Sequence, residues 1–206
     1  MHIQLNGVSK RYLRRWIIKD LDYRFEAGQV YGITGINGSG KSTLVKIISG
    51  YLTPSRGAVE YIHGSGQVSR DNIYNHLSIS APYLEVDLDL TLKEQLAFYR
   101  EFKPLVSTFD EQAVLAEIGL LEHFNKPIRQ FSSGMQQRVQ LILCLFAKVD
   151  IILLDEPTSF LDVKGKAWFY KTLQEVKKNK LVILASNDDL DISQCDTVLN
   201  LDIVIA

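Results

Sequence analysis

The chain has 206 residues, 46% hydrophobic and 23% charged, with a formal net charge of −1 and two cysteines. That is ample material for one globular domain with a buried core, and the balanced charge gives no basic footprint, so no nucleic-acid partner is expected. Cys144 and Cys195 have no metal-ligand spacing and read as reduced and structural, which sets aside a disulfide scaffold. No apolar run approaches the roughly 20 residues that span a bilayer, and the N-terminus lacks a signal-peptide core, so a soluble cytoplasmic protein without direct membrane insertion is expected.

In chain order, Ile3 and Leu5, then Leu21, Tyr23 and Phe25, alternate with polar neighbours and end in the turn signals Asn6-Gly7 and Ala27-Gly28. This predicts strands of a half-exposed antiparallel layer. Lys10-Arg11-Tyr12 is expected in a loop, with Tyr12 either a surface tyrosine or a platform for a stacked adenine. Arg14-Arg15 and Lys177-Lys178 read as solvated faces.

The apolar run 30–33 leads into Gly35-Ile36-Asn37-Gly38-Ser39-Gly40-Lys41-Ser42-Thr43, followed by helix-like residues. Three glycines let the backbone curl so that successive N–H groups point inward, a nest for phosphate oxygens at a helix N-terminus whose dipole favours negative charge. Lys41 is placed to reach β- and γ-phosphates, and the Ser42 hydroxyl to ligate Mg²⁺. The helix 42–49 should stop at Gly50, with a turn over 53–57 and a strand over 58–62.

From about Thr91 to Ala147 the apolar residues recur at helical spacing: Leu92, Leu96, Tyr99 and Phe102, then Val114, Leu115 and Ile118, then Val139, Ile142, Leu143 and Phe146. The first helix is expected to open on a capping box of Thr91 and Glu94. Residues 151–154 are apolar without alternation, as in a central parallel strand, and run into Asp155-Glu156-Pro157. Carboxylates at a buried strand's end are where an open α/β sheet places its chemistry, so Asp155 can hold Mg²⁺ opposite Ser42 while Glu156 takes a proton from an attacking water. A helix carrying Phe169, Leu173 and Val176 on one face, a buried strand over 181–185, and short strands over 198–201 and 203–205 complete the pattern.

Gly35 to Ser42, Phe131-Ser132-Ser133-Gly134-Met135-Gln136-Gln137-Arg138, residues 151–157 and Ser159-Phe160-Leu161-Asp162 stand in the order and spacing of the ATP-binding subunits of ABC transporters, which the chain resembles over essentially its whole length. The Ser132 to Arg138 stretch, similar to the family's signature sequence, is the most specific element. The resemblance implies an α/β fold: a phosphate-loop NTPase core of mainly parallel sheet flanked by helices, an antiparallel β layer, and an inserted α-helical subdomain. On that reading residues 1–206 form one ATPase domain, with the nucleotide-binding core at about 1–80 and 148–206 and the helical subdomain at about 81–147.

Carried over by resemblance, Tyr12 stacks on adenine, while Gly35, Asn37, Gly38, Ser39, Gly40, Lys41, Ser42 and Thr43 hold the phosphates of ATP. Ser42 and Asp155 hold Mg²⁺, and Glu156 is the catalytic base, assisted by Lys41 and Asn187. Ser132, Ser133 and Gly134 complete the site of a second subunit, and Asp162 lies at the seam of a head-to-tail dimer formed with itself or a homologous ATPase chain. A separate polytopic membrane subunit would hold the protein at the inner face of the cell membrane. The resemblance leans towards export and leaves the cargo open.

Three departures from the family pattern stand out. Ser133 and Met135 replace the usual glycine and glutamine of the signature. A glutamine expected after the strand near residue 80 is replaced by Ala81 or Pro82, and Gln67 lies too early to substitute. Ser186-Asn187-Asp188 stands where a histidine normally meets the γ-phosphate, and an amide donates a hydrogen bond but cannot become cationic, which implies slower turnover. The rival reading is an ATP-gated clamp or regulatory switch with little hydrolysis. A small-molecule kinase would leave Ser132 to Arg138 without a role.

Overall fold

The computed structural model describes residues 1–204 and separates into two compact units. The first comprises Met1–Ile79, Val149–Glu156 and Lys177–Ala206, and the second Ser80–Lys148 and Pro157–Val176.

The first unit opens with β1 (His2–Tyr12) and β2 (Arg15–Glu26), an antiparallel pair in register at Ile3 with Phe25 and Leu5 with Tyr23. The Asn6-Gly7 pair does not end the first strand. Gly7 takes a left-handed φ of 56° in a bulge, its N–H donates to Asp22 Oδ1 at 2.7 Å in place of a ladder bond, and β1 continues. Lys10, Arg11 and Tyr12 therefore lie in a strand, paired with Ile18, Trp16 and Arg15, and not in the expected loop.

The chain then forms β3 (Val30–Thr34), α1 (Lys41–Ile48), β4 (Arg56–His63), β5 (Gly66–Val68) and β6 (Leu77–Ser80). After the second unit's helices, named below, it returns with β7 (Ile151–Asp155), β8 (Leu181–Ala185) and β9 (Thr197–Asn200). One sheet has the order β2-β1-β4-β5; the other has the order β6-β7-β8-β3-β9, with β7, β8, β3 and β9 parallel. Every residue of β7 and β8 is buried, which is why their sequences do not alternate. Ile3, Phe25, Ile33, Leu44, Ile48 and Ile183 belong to one hydrophobic cluster, so the antiparallel layer, α1 and the parallel sheet share a core.

The second unit contains α2 (Leu92–Phe102), α3 (Glu111–Glu117), α4 (Ser133–Leu145) and α5 (Val163–Val176). The capping box at Thr91 and Glu94 is present, with Thr91 N–H donating to Glu94 Oε2 at 2.8 Å and Glu94 N–H to Thr91 Oγ1 at 3.2 Å. Leu92, Leu96, Leu115, Val139 and Ile142 are buried as expected, whereas Phe102 is 71% exposed and packs on Phe98. Phe102 stands one turn after the exposed Phe98, on the outward face of α2, and Pro104 disfavours helical backbone at Lys103, so the helix ends at Phe102.

Back in the first unit, Asp189–Ser193 forms α6. The chain's end departs from expectation: β9 is followed by α7 (Leu201–Val204), not by a strand over 203–205. The Asn200 side chain accepts from Asp202 N–H at 2.9 Å, a local turn that carries the chain out of the sheet. Ile205 lies outside the described residues. Lys177 is also not a solvated charge, since its ammonium pairs with Asp196 at 2.8 Å.

Candidate functional site

Between β3 and α1 the loop 35–40 is shaped by glycine. Gly40, the N-cap of α1, has φ 103°, and a Cβ there would stand 2.7 Å from Ile17 Cγ2; Gly35 has φ 147°, and its Cβ would meet Ser39 Oγ at 2.6 Å. The loop is closed by Ser39 N–H donating to Ile36 O at 3.0 Å. The Lys41 ammonium is buried and donates to Gly35 O at 2.9 Å, so the cation lies folded over its own loop. No side chain caps α1 and no acid stands in its first turn, which leaves the positive end of the helix facing outward. Tyr12, Ile17, Gly38, Lys41, Ser42, Thr43 and Glu156 line one cleft of about 390 Å³ with the loop's Asn37 and Gly40.

Asp155 ends β7 and is 1% exposed, with neither carboxylate oxygen in a well-formed hydrogen bond. Burial pushes its pKa up; the Ser42 hydroxyl, close by, and the Lys46 and Lys41 ammonium groups act in the opposite direction. A buried carboxylate facing a hydroxyl is a set of hard oxygen donors suited to Mg²⁺, so Asp155 and Ser42 could hold that ion.

Glu156 takes φ 49°, a left-handed conformation unusual for a side chain of this kind, and its N–H donates to Ala185 O at 2.8 Å. That kink turns the chain directly after the buried strand. Burial raises the Glu156 pKa, with Lys41 opposing and the negative charges of Asp155 and Asp191 adding to the rise; Ser186 opposes it more weakly. Asn187, next to Ser186, donates from Nδ2 to Asn37 Oδ1 at 2.7 Å and so ties the end of β8 to the phosphate loop.

In the second unit, Ser132 caps α4, its hydroxyl accepting from Met135 N–H at 3.3 Å, with Ser133 exposed in the first turn. A Cβ on Gly134 would lie 2.7 Å from Phe160 O, so close backbone packing demands glycine there. Asp162 Oδ1 accepts from Gly165 N–H at 2.8 Å and pairs with Arg138 Nη2 at 2.6 Å. These two contacts, the backbone bond first, hold the Asp162 carboxyl below the usual range. Ala81 and Pro82 directly follow β6, and neither has a polar side-chain atom.

The ABC transporter family model matches residues 18–159. The chain belongs to the ABC transporter ATP-binding family. It is 30% identical to the uncharacterized ABC transporter ATP-binding protein YybJ of Bacillus subtilis, over 97% of this chain and 92% of that protein. It is also 31% identical to mouse ATP-binding cassette sub-family A member 17, over 87% of this chain, but spans only 11% of that much longer protein. A putative ABC transporter ATP-binding protein from Pyrococcus furiosus has the same fold, with a TM-score of 0.82 and 25% identity over 99% of both chains.

Some contacts around these residues had no signal in the sequence. Asp202 accepts from Ile36 N–H with both oxygens, at 3.2 and 3.0 Å, and clips the start of the phosphate loop from 166 residues away. Trp16, near Tyr12 in the hairpin, carries the guanidinium groups of Arg11 and Arg56 at 5.3 and 5.2 Å from its ring. The Arg138 and Asp162 pair was likewise unreadable, because a structural role for Asp162 depends on where α4 and α5 pack.

Proposed function

We propose that this ABC ATP-binding chain binds and hydrolyses ATP, closing head to tail with a second copy or a homologous chain and driving a separate polytopic membrane protein from the inner face of the membrane. The observation that carries the reading is the buried Asp155 carboxylate facing the Ser42 hydroxyl, next to a kinked Glu156 with a raised pKa.

ATP is held by its phosphates on the N–H groups of loop 35–43, with Gly35, Asn37, Gly38, Ser39, Gly40, Ser42 and Thr43 forming the cradle and Tyr12 available for the adenine. Lys41 exchanges the Gly35 carbonyl for phosphate oxygen. Asp155 and Ser42 would hold Mg²⁺, which when bound neutralises phosphate charge. Glu156 accepts the proton of the attacking water, a task that its raised pKa favours. Asn187 keeps Asn37 in place and has a second amide hydrogen for a phosphate oxygen. Ser132, Ser133, Gly134 and Asp162 act at the opposing subunit's nucleotide.

The test is phosphate release from Mg-ATP under single-turnover conditions at high protein concentration, because each site needs a second chain. Glu156→Gln should lower the rate by about 10² to 10⁴-fold while ATP still binds. The acid limb of the parent's rate should lie above pH 4.5, the ordinary value for glutamate, because the ionised base is lost at higher pH when its pKa is raised. Equal, negligible release from both proteins would favour an ATP-gated clamp instead. That second reading draws on Asn187, already bonded to Asn37, and on the apolar Ala81 and Pro82.

A further inference from the structure

Two of the chain's four histidines meet one aspartate at the end of the parallel sheet opposite the phosphate loop. His76 immediately precedes β6 and Asp150 immediately precedes β7, whereas the phosphate loop follows the other end of β3. His63 closes β4 at its turn into β5, where it pairs with Gly66. His76 Nδ1 lies 2.8 Å from Asp150 Oδ2 and His63 Nε2 lies 3.9 Å from Asp150 Oδ1. The two rings are 5.3 Å apart.

The backbone holds this grouping in place. Asp150 and Ile151 N–H groups both donate to His76 O, at 3.0 and 2.9 Å, so the two residues are locked side by side. A hydrogen bond from His76 to Asp150 accounts for that pair alone. It does not account for His63, brought in from the other sheet to a distance too long for a hydrogen bond, with its ring beside that of His76.

We propose that His63, His76 and Asp150 form a binding site for a divalent first-row transition metal ion. One ligand atom from each residue lies within 4.8 Å of the others. Bond lengths of about 2.0–2.2 Å to nitrogen and oxygen require shifts of only about 1 Å from side chains that are partly exposed and free to adjust. Two imidazoles and one carboxylate suit zinc, cobalt, nickel or copper, whereas magnesium and calcium prefer an all-oxygen shell. Three protein ligands leave a position for water. The ion would link the β4–β5 hairpin to the starts of β6 and β7, and so join the antiparallel layer to the parallel sheet away from the nucleotide.

The metal-free full chain is titrated with Zn²⁺ in excess Mg²⁺, which masks Asp155 and Ser42, beside His63→Ala, His76→Ala and Asp150→Asn. The parent should bind one Zn²⁺ and gain thermal stability from it, and His63→Ala and His76→Ala should each weaken binding at least about tenfold. Co²⁺ should give visible bands of nitrogen and oxygen ligation without the intense near-ultraviolet bands of thiolate. No zinc binding by the parent, equal binding by the histidine variants, or thiolate bands from Cys144 or Cys195 would overturn the proposal. His63 is half exposed on a hairpin, so His63→Ala retains the fold, which an unchanged melting temperature without metal verifies, and its result decides the matter if His76→Ala does not fold.

Discussion

Helices α1 and α4 both begin on short turns rich in serine and glycine, yet their first-turn N–H groups meet different fates. At α1 the cap is Gly40 in a left-handed conformation, without a side-chain acceptor. At α4 it is Ser132 in an extended conformation, whose hydroxyl accepts from Met135 N–H. The chain thus supplies a side-chain acceptor at one helix end and none at the other. Serine and glycine at a helix start therefore do not by themselves tell a capped N-terminus from an uncapped one; the side-chain acceptor does. The Gly134 backbone, pressed against Phe160 O, further distinguishes the second turn, where glycine answers to packing.

The strongest way to break the α1 side of this contrast is to remove the carboxylate that faces it. Asp155→Asn should lower Mg-ATP turnover by two or more orders of magnitude, as expected for loss of a charge that positions a metal at a transferring phosphoryl group. The same change should raise the melting temperature of the nucleotide-free protein at neutral pH. The sign follows from the raised pKa: the folded state favours protonated Asp155, so that stabilisation is present below the ordinary value of 3.8 and is lost as pH rises through the folded value. Asparagine removes the buried charge. Thermal melts with and without Mg-ATP check both parts, because the parent should gain stability from the nucleotide complex and the variant should gain much less.

The two glycines separate the helix ends more finely. Gly40→Ala combines a left-handed φ with a contact to Ile17 and should cost about 1–3 kcal/mol of stability, together with ATP affinity in the isolated chain. Gly134→Ala meets a backbone carbonyl that cannot rotate away and should cost a similar amount through overpacking. Its ATP affinity measured on dilute, unpaired protein should remain that of the parent. Equal loss of ATP affinity in both variants would erase the distinction.

Legibility followed the range of the interaction that shapes each element. Residues 151–154 and 181–185 were readable because a strand buried on both faces needs an unbroken apolar run, and the loop 35–42 because its glycines, Lys41 and Ser42 are adjacent in sequence. The Thr91 capping box was readable for the same local reason. Lys10 to Tyr12 was misread because the signal at Asn6-Gly7 is a turn signal, whereas pairing with β2 and the Asp22 carboxylate turn it into a bulge within one long strand. Asp202 was invisible, since its role as an acceptor for Ile36 N–H exists only after β9 lies beside β3. Asp162 was legible as a site residue only through resemblance, and its bonds to Gly165 and Arg138 belong to the packing of α4 against α5.

Ser132→Ala tests the capped end directly. Losing the hydroxyl that accepts from Met135 should cost about 1 kcal/mol, seen as a lower melting temperature with no ligand present. The effect at α1 has no counterpart, because no side chain caps it. A melting temperature equal to the parent's would mean that solvent satisfies α4 as well as serine does, and the two helix ends would then differ less than their geometry suggests.

The smallest expected effect lies at Asn187, where the open end of α1 is braced from β8. Its amide already donates to Asn37, so the phosphate loop is held by a neutral contact that does not respond to charge on the nucleotide. Asn187→His substitutes a ring that can become cationic and so favours negative charge developing on a transferring phosphoryl group, at the expense of the Asn37 bond. The single-turnover rate should rise several-fold, and most at a pH below about 6.5, where imidazole is protonated. Asn187→Ala separates the two contributions, because it removes the brace without adding charge and should slow turnover while leaving its pH profile unchanged. If histidine and alanine give the same rate at every pH, Asn187 acts only by positioning Asn37, and the slow turnover inferred for this chain has its origin elsewhere.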